Sequence, residues 1–512
     1  MPIEKARLID NAERGYGSTP ETLQIDPVPG TSGSTTNPPR RPPRGGSHGT
    51  SNVVKYGKGE KWPQYFAALT STLGAFALGT VLGWISPAIS RLTSAYGFPV
   101  GNVEISWLGS LTFLGAAVVL APIEYVIKQF GRKNTMLLLL IPFTIGWLFI
   151  IFASTITAIY IGRFVTGFAS GAFCVTTPIY IAEIAQKEIR GSLNTMFPIM
   201  ITAGILFAYI IGSMVTIISL SVICATIPLI FGALFYFQPE SPVYLIQNNR
   251  IDEARQSLIR LRGRNFDVDS EIREIVAAEE ELSQNAKTLT EAIKEPGTQR
   301  AFLIACGMMI FQQLTGLYPI MSYSTIVIQT GGASMITPGE IIIFLGVIQM
   351  LGNLIGEAIV DSSGRKYLLT RSAIYTSISL FVLGIFFQIK YYQAIYLIVG
   401  QSAFLPLLLV SIYAIAYSIG LGTVPWVLIG EVFAPEIKNK AASIAILCNL
   451  LVTFITSEYF LKMISLLGRS GTFYLFGFFC ALSAVFTHFV VIETKGKSLG
   501  EIQRELTQAA TS

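Results

Sequence analysis

From Trp62 onward the chain alternates between long apolar runs and short polar stretches. Each run has about 20 residues, long enough to cross a bilayer as a helix. The runs predict spans near 64–89, 104–127, 135–154, 156–183, 192–214, 218–237, 301–328, 339–360, 368–389, 403–430, 441–461 and 473–491, about twelve in all. One polar insertion, 238–299, separates the first six from the last six. Between Asp269 and Gln284 it sets Ile272, Ile275, Val276 and Leu282 roughly on one helical face, which predicts short amphipathic helices on the cytosolic surface. Such helices suit a latch between the two sets. The first 60 residues are rich in Gly, Pro, Ser and Thr, too polar to bury a core, and are expected to form a disordered tail. They contain no charged-then-apolar-then-cleavage pattern, so no signal peptide is expected.

Composition agrees with this pattern. Of 512 residues, 52% are hydrophobic and 13% charged, too little charge to clothe a soluble protein of this size. The expected class is an all-α membrane protein. The basic residues cluster in alternate loops, at Lys128, Arg132 and Lys133, at Lys187 and Arg190, along 250–294, at Arg365 and Lys366, and at Lys438 and Lys440. The positive-inside rule then sets both termini in the cytosol. The five cysteines all fall inside apolar runs without a Cys-x-x-Cys pair, as small buried hydrophobes do. With two histidines, no phosphate-binding Gly-rich loop and no nucleophile–base constellation, neither a metal, a cofactor nor an enzymatic reaction is indicated.

Charged motifs occur in pairs about half a chain apart. Glu183-Ile-Ala-Gln-Lys-Glu188-Ile-Arg190 is matched by Glu431-Val-Phe-Ala-Pro-Glu436-Ile-Lys438. Gly131-Arg132-Lys133 is matched by Gly364-Arg365-Lys366, and Pro239-Glu240-Ser241 by Ile492-Glu493-Thr494. Duplication in a membrane chain predicts two similar six-helix bundles around a central site. The expected units are a tail (1–60), a first bundle (61–237), a cytosolic helical linker (238–299), a second bundle (300–491) and a cytosolic tail (492–512).

Several of these motifs resemble the sugar porters of the major facilitator superfamily. They are Pro178-Ile-Tyr180-Ile-Ala-Glu183 with Arg190-Gly191, Pro239-Glu-Ser-Pro242, Gln312-Gln313-Leu-Thr-Gly316, Pro425-Trp426 with Glu431, and Glu493-Thr-Lys-Gly496. Gly79-Thr-Val-Leu-Gly83-Trp84 and Pro198 resemble the arthropod facilitated trehalose transporter group within that family. The resemblance implies a cytosolic gate of Arg132, Glu183, Arg190, Arg365, Glu431 and Lys438, bridged when the protein opens outward. It implies sugar contacts at Gln312, Gln313, Gln349, Trp426 and Asn449. Amides suit sugar hydroxyls because both donate and accept hydrogen bonds, and an indole can pack on a pyranose face. Gly316, Pro319, Gly420, Gly422 and Pro425 are candidate hinges, since proline removes a helical hydrogen bond.

The departures from the family pattern are equally informative. Lys128-Gln129 stand where the family has Asp-Arg, so the first gate lacks an acid, which Glu124 one turn earlier offsets locally. Pro198, Tyr318, Ser418 and Leu450 replace expected sugar contacts. Val81 stands where proton-coupled relatives carry Asp, which favours passive transport, although Glu357 and Glu458 keep coupling open. The expectation is a uniporter for trehalose or a hexose, multi-pass in the plasma membrane, with sugar and lipid as its partners and neither nucleic acid nor an obligate protein. The alternatives are a carrier of another small organic solute on the same frame and a sugar sensor that does not transport.

Overall fold

The computed structural model describes residues 59–89, 91–284, 288–331, 336–391 and 404–511. The expected tail lies outside them, apart from its last two residues. Among the described residues, eleven helices are long and apolar enough to cross a membrane. The last, Lys438–Val490, has 53 residues, and Gly468 breaks it with a left-handed φ of 71°. At 1.5 Å per residue it would otherwise reach about 80 Å, more than twice a bilayer core. It is therefore two crossings, and the total is twelve.

We number them as spans 1 to 12. The first bundle holds Trp62–Ile89, Asn102–Phe130, Arg132–Ile151, Ile156–Ile184, Arg190–Met214 and Ile217–Phe235. The second holds Pro296–Ser322, Pro338–Ser363, Arg365–Lys390, Leu405–Val432, 438–467 and 469–490. Each bundle has its own core. In the first, Phe143, Phe173, Phe231 and Phe235 pack ring on ring; in the second, Tyr323, Phe460 and Phe476 stack. Large side chains such as Ile141, Leu229, Leu351 and Phe478 point outward, a surface that only lipid would solvate well.

Close helix approach rests on small residues. A Cβ on Gly79 would sit 2.1 Å from Ile201 O of span 5, and one on Gly167 would sit 2.1 Å from Thr112 O of span 2. Backbones that touch at such distances leave no room for a side chain.

Three linker helices, Pro242–Gln247, Ile251–Arg262 and Val268–Gln284, share an apolar cluster that includes Leu245, Leu258, Ile272 and Val276. Leu282 is not part of that face; it is 39% exposed, because the helix outruns the cluster. Arg262 fixes the linker to the first bundle by donating to Ile184 O at 2.7 Å while pairing with Glu271. Within the expected tail, Leu499–Thr511 is a helix docked on the second bundle. In Leu499–Thr511, Ile502 and Leu506 enter the second core, and Gln503 donates to Val432 O at 2.7 Å. The linker, this helix and the paired charged motifs all lie at one end of the spans. We call it the basic end and its opposite the far end.

Candidate functional site

The basic end carries two clusters of the same design. Span 3 starts at Gly131 and span 9 at Gly364, both at φ 86°. This left-handed turn suits glycine, and a Cβ there would meet Glu240 Oε2 at 2.4 Å and Glu493 Oε2 at 2.9 Å. The carboxylates approach because each caps a helix start. Glu240 accepts the backbone N–H groups of Arg132 and Lys133 at 3.1 and 3.0 Å. Glu493 accepts those of Arg365 and Lys366 at 2.9 and 3.1 Å. A negative charge belongs at the positive end of a helix. Burial pushes the Glu493 carboxyl up, but the N–H groups of Lys495, Arg365, Lys366 and Thr494 outweigh it and hold the group below the usual carboxylate range.

The arginines then turn to the second acid of each motif pair. Arg132 Nη2 meets Glu183 Oε1 at 2.7 Å, and Arg365 Nη2 meets Glu431 Oε1 at 2.9 Å. The hydroxyls of Ser241 and Thr494 donate to the other oxygens of Glu183 and Glu431. Both pairs lie within one half. Arg190 and Lys438 join no ion pair among the described residues; Lys438 feels the attraction of Glu431 and the repulsion of Arg190 across the two halves. Glu124 pairs with Lys128 at 2.8 Å, on the exposed surface.

Mid-span, the amides form a chain of bonds. Pro425 has no N–H to give to the carbonyl of Leu421, and residues 418–422 form a wider, π-helical turn. Gln312 Nε2 fills this gap, donating to Leu421 O at 2.7 Å and to Gly422 O at 3.0 Å. Ser372 Oγ accepts the Leu421 N–H at 3.0 Å. Asn449 Nδ2 donates to Gln312 Oε1 at 2.8 Å and to Met309 O at 3.0 Å. Gln312 and Asn449, both buried, have thus committed their amide hydrogens to protein. Gln313, half-buried, donates to Asn449 Oδ1 at 3.2 Å and keeps its carbonyl oxygen uncommitted. Gln349 is half-buried and Trp426 is 44% exposed. Gly316, left-handed at φ 78°, divides span 7 after these amides, and Pro319 lies in the short helix beyond it. Gly420 sits in the wide turn so close to span 9 that a Cβ would lie 2.6 Å from Leu368 O.

The polar and ring contacts that join the two halves lie toward the far end. Ser110 Oγ of span 2 donates to Glu458 Oε2 of span 11 at 2.7 Å, and Tyr323 donates to Ile105 O at 3.4 Å. Phe113 meets Tyr318 edge to face at 4.4 Å, and Trp107 meets Phe454 at 6.2 Å. Nearest the middle, Asn353 of span 8 donates to Thr202 of span 5 at 3.0 Å. Sequence reasoning missed one buried group here, Arg163 of span 4, which has no exposure at all. Its signal was a basic residue two turns inside an apolar run. A cavity of about 340 Å³ opens elsewhere, between Lys133, Glu240 and Arg260 beside the linker, away from the amides.

The profile of the family described as "Sugar (and other) transporter" matches residues 64–506. The chain belongs to that family. It is 34% identical over 452 residues to a protein from Bombyx mori named facilitated trehalose transporter Tret1, covering 88% of each. A protein of the same name from Polypedilum vanderplanki is also 34% identical, with 87% of this chain and 88% of that one covered. The Aedes aegypti protein of that name is 33% identical, and the match spans 55% of its length. Among solved structures, the xylose transporter XylE from E. coli in a partially occluded inward-open conformation superposes with a TM-score of 0.71 at 23% identity, over 85% of this chain and 99% of that one. The fold is that of the major facilitator superfamily, and the family is one of transporters rather than enzymes.

Proposed function

We propose that this protein is a facilitative sugar transporter, with trehalose as its first candidate substrate, working by alternating access. The observation that carries the reading is the asymmetry of contact between the halves. They are tied by hydrogen bonds and rings at the far end, and among the described residues no ion pair joins their charged clusters at the basic end. Between these ends lie Gln313, Gln349 and Trp426, polar or aromatic groups able to meet a neutral polyol. Taking the basic end as cytosolic, as the positive-inside rule requires, the described state faces inward. Both termini are then cytosolic. The plasma membrane is the proposed location.

In the outward-facing state the basic ends close, and Arg190 and Lys438 come within reach of the acids of the opposite half. Such ion pairs at a wet boundary contribute about 0–1 kcal/mol each, enough to bias two states of similar free energy without locking either. Span 1 has no acid facing Arg163; Val81 offers only its carbonyl, at 2.7 Å. This supports passive transport over proton coupling. Trehalose and glucose uptake measured side by side in proteoliposomes, with and without a proton gradient, tests the proposal. Saturable trehalose uptake indifferent to the gradient is expected. The absence of any sugar flux, with sugar still bound, would favour a sensor. A second reading, another small organic solute, rests on Tyr318 packing against Phe113 where hexose porters have asparagine.

A further inference from the structure

Arg163 is a buried cation with no carboxylate partner among the described residues. Its Nε donates to Leu108 O at 3.0 Å and its Nη1 to Val81 O at 2.7 Å, and the guanidinium lies 5.4 Å from the centre of the Trp84 ring. Nη2 has no partner. Burying an unsatisfied charged donor is costly, and carbonyls offset only part of that cost. Opposite it, across the boundary between the halves, stands Tyr318 of span 7. The Tyr318 hydroxyl is also buried and also without a partner. The two groups are near enough to act on one another, yet neither atom completes a hydrogen bond of good geometry. Two orphaned polar atoms, one from each half, therefore face the same buried place.

Tyr318 sits two residues beyond Gly316, whose left-handed turn separates it from the part of span 7 that carries Gln312 and Gln313. A small rotation about that turn moves the phenol relative to Arg163 and leaves the amides in position. The neighbouring Phe113 ring guides the phenol edge-on.

We propose that Arg163 and Tyr318 are the two parts of a polar latch for the far-end gate, in which the Tyr318 hydroxyl accepts the free Nη2–H of Arg163 as that gate closes fully. The proposal rests on the alternating-access reading. When the gate opens, Tyr318 withdraws with the second half, and water entering from the far end solvates the guanidinium. The donor is satisfied either way, so the latch adds specificity to closure without freezing it. A guanidinium stays protonated throughout the physiological range, so the latch needs no proton. Tyr318 is a positioning residue here, acting through Arg163 and not on the sugar.

The test is a double-substitution cycle on the full chain in nanodiscs without sugar, read by hydrogen exchange of the far-end segments of spans 2 and 7. Tyr318→Phe keeps the ring and removes only the acceptor. It should shift the population toward the far-end-open state by about tenfold, the usual cost of one unsatisfied buried donor. Arg163→Met should abolish that response, so that adding Tyr318→Phe changes nothing further. Tyr318→Asn, which restores an acceptor, should recover part of the closure. An unchanged exchange pattern in Tyr318→Phe, or an equal shift in the Arg163→Met background, overturns the latch. Because no sugar is present, these outcomes are separable from a failure of the transport proposal, which sugar flux reads on its own.

Discussion

The two clusters at the basic end share a plan but differ in their supports. Both use a left-handed glycine, a capping glutamate, an arginine and a second glutamate. In the second half, Arg365 has an extra acid, Asp361, at 2.9 Å, but that carboxylate is 85% exposed. In the first half that acid is missing. There the linker substitutes: Tyr244 lays its ring 5.3 Å from the Arg132 guanidinium, and Gln247 accepts from Nη2 at 3.5 Å. The Tyr244 hydroxyl donates to Gln129 O, one residue beyond the lost acid. The first cluster is thus held by tertiary packing and the second by local charge. A missing charge in one copy of a duplicated motif was made good by a residue distant in sequence.

This contrast can be broken in four ways. Glu183→Gln should have the largest effect, costing about 3 kcal/mol of stability, because it strands an almost buried Arg132. Glu431→Gln should cost about 1–2 kcal/mol less, since Arg365 keeps Asp361. Thermal unfolding in detergent measures both, and equal losses would erase the distinction. Next, Gln312→Ala should cost about 1–3 kcal/mol by leaving the Leu421 and Gly422 carbonyls bare. Gln313→Ala should instead raise the transport KM about five- to tenfold with little change in melting. Loss of melting temperature in Gln313→Ala, with KM intact, would reverse their roles.

Third, acid should act on the second cap. The folded Glu493 carboxyl lies below the ordinary range of an unfolded glutamate. Its contribution is therefore present above that range and lost as pH falls through the folded pKa. Unfolding followed between about pH 5 and 3 should be less pH-dependent in Glu493→Gln, and an identical profile would remove the cap's role. The smallest effect belongs to Asp361→Asn, about 0–1 kcal/mol, as expected for an exposed pair. A loss near that of Glu431→Gln would mean that Asp361 is the principal partner of Arg365.

The spans were legible because hydrocarbon length and hydropathy determine them together; the polar break between 461 and 473 already separated the last two, and Gly468 supplies the backbone joint there. The paired charges were legible as a duplication, but their partners were not. Glu240 and Glu493 act on backbone N–H groups, which leave no side-chain pattern in the sequence. Arg132 and Arg365 close on acids of their own half in this state; the gate bridges implied by the resemblance belong to the outward-open state. At the centre, the amides of spans 7 and 11 stood out as polar groups in apolar runs. That Gln312 and Asn449 are spent on protein, while Gln313 is not, follows from the carbonyl freed by Pro425, a three-dimensional fact. Tyr318 was visible as a departure, but its apposition to Arg163 required the two halves to be brought together.

The central claim is that two six-helix halves rock about the amide-lined middle. It is tested most directly by spin-label distances on introduced cysteines, one pair at Lys187 and Lys440 of the basic end and one at Val103 and Leu466 of the far end. As trehalose is added, the populations should move in opposite senses, the basic-end distance shortening as the far-end distance lengthens. Distances that change together, or that stay fixed while sugar flows, would contradict the account.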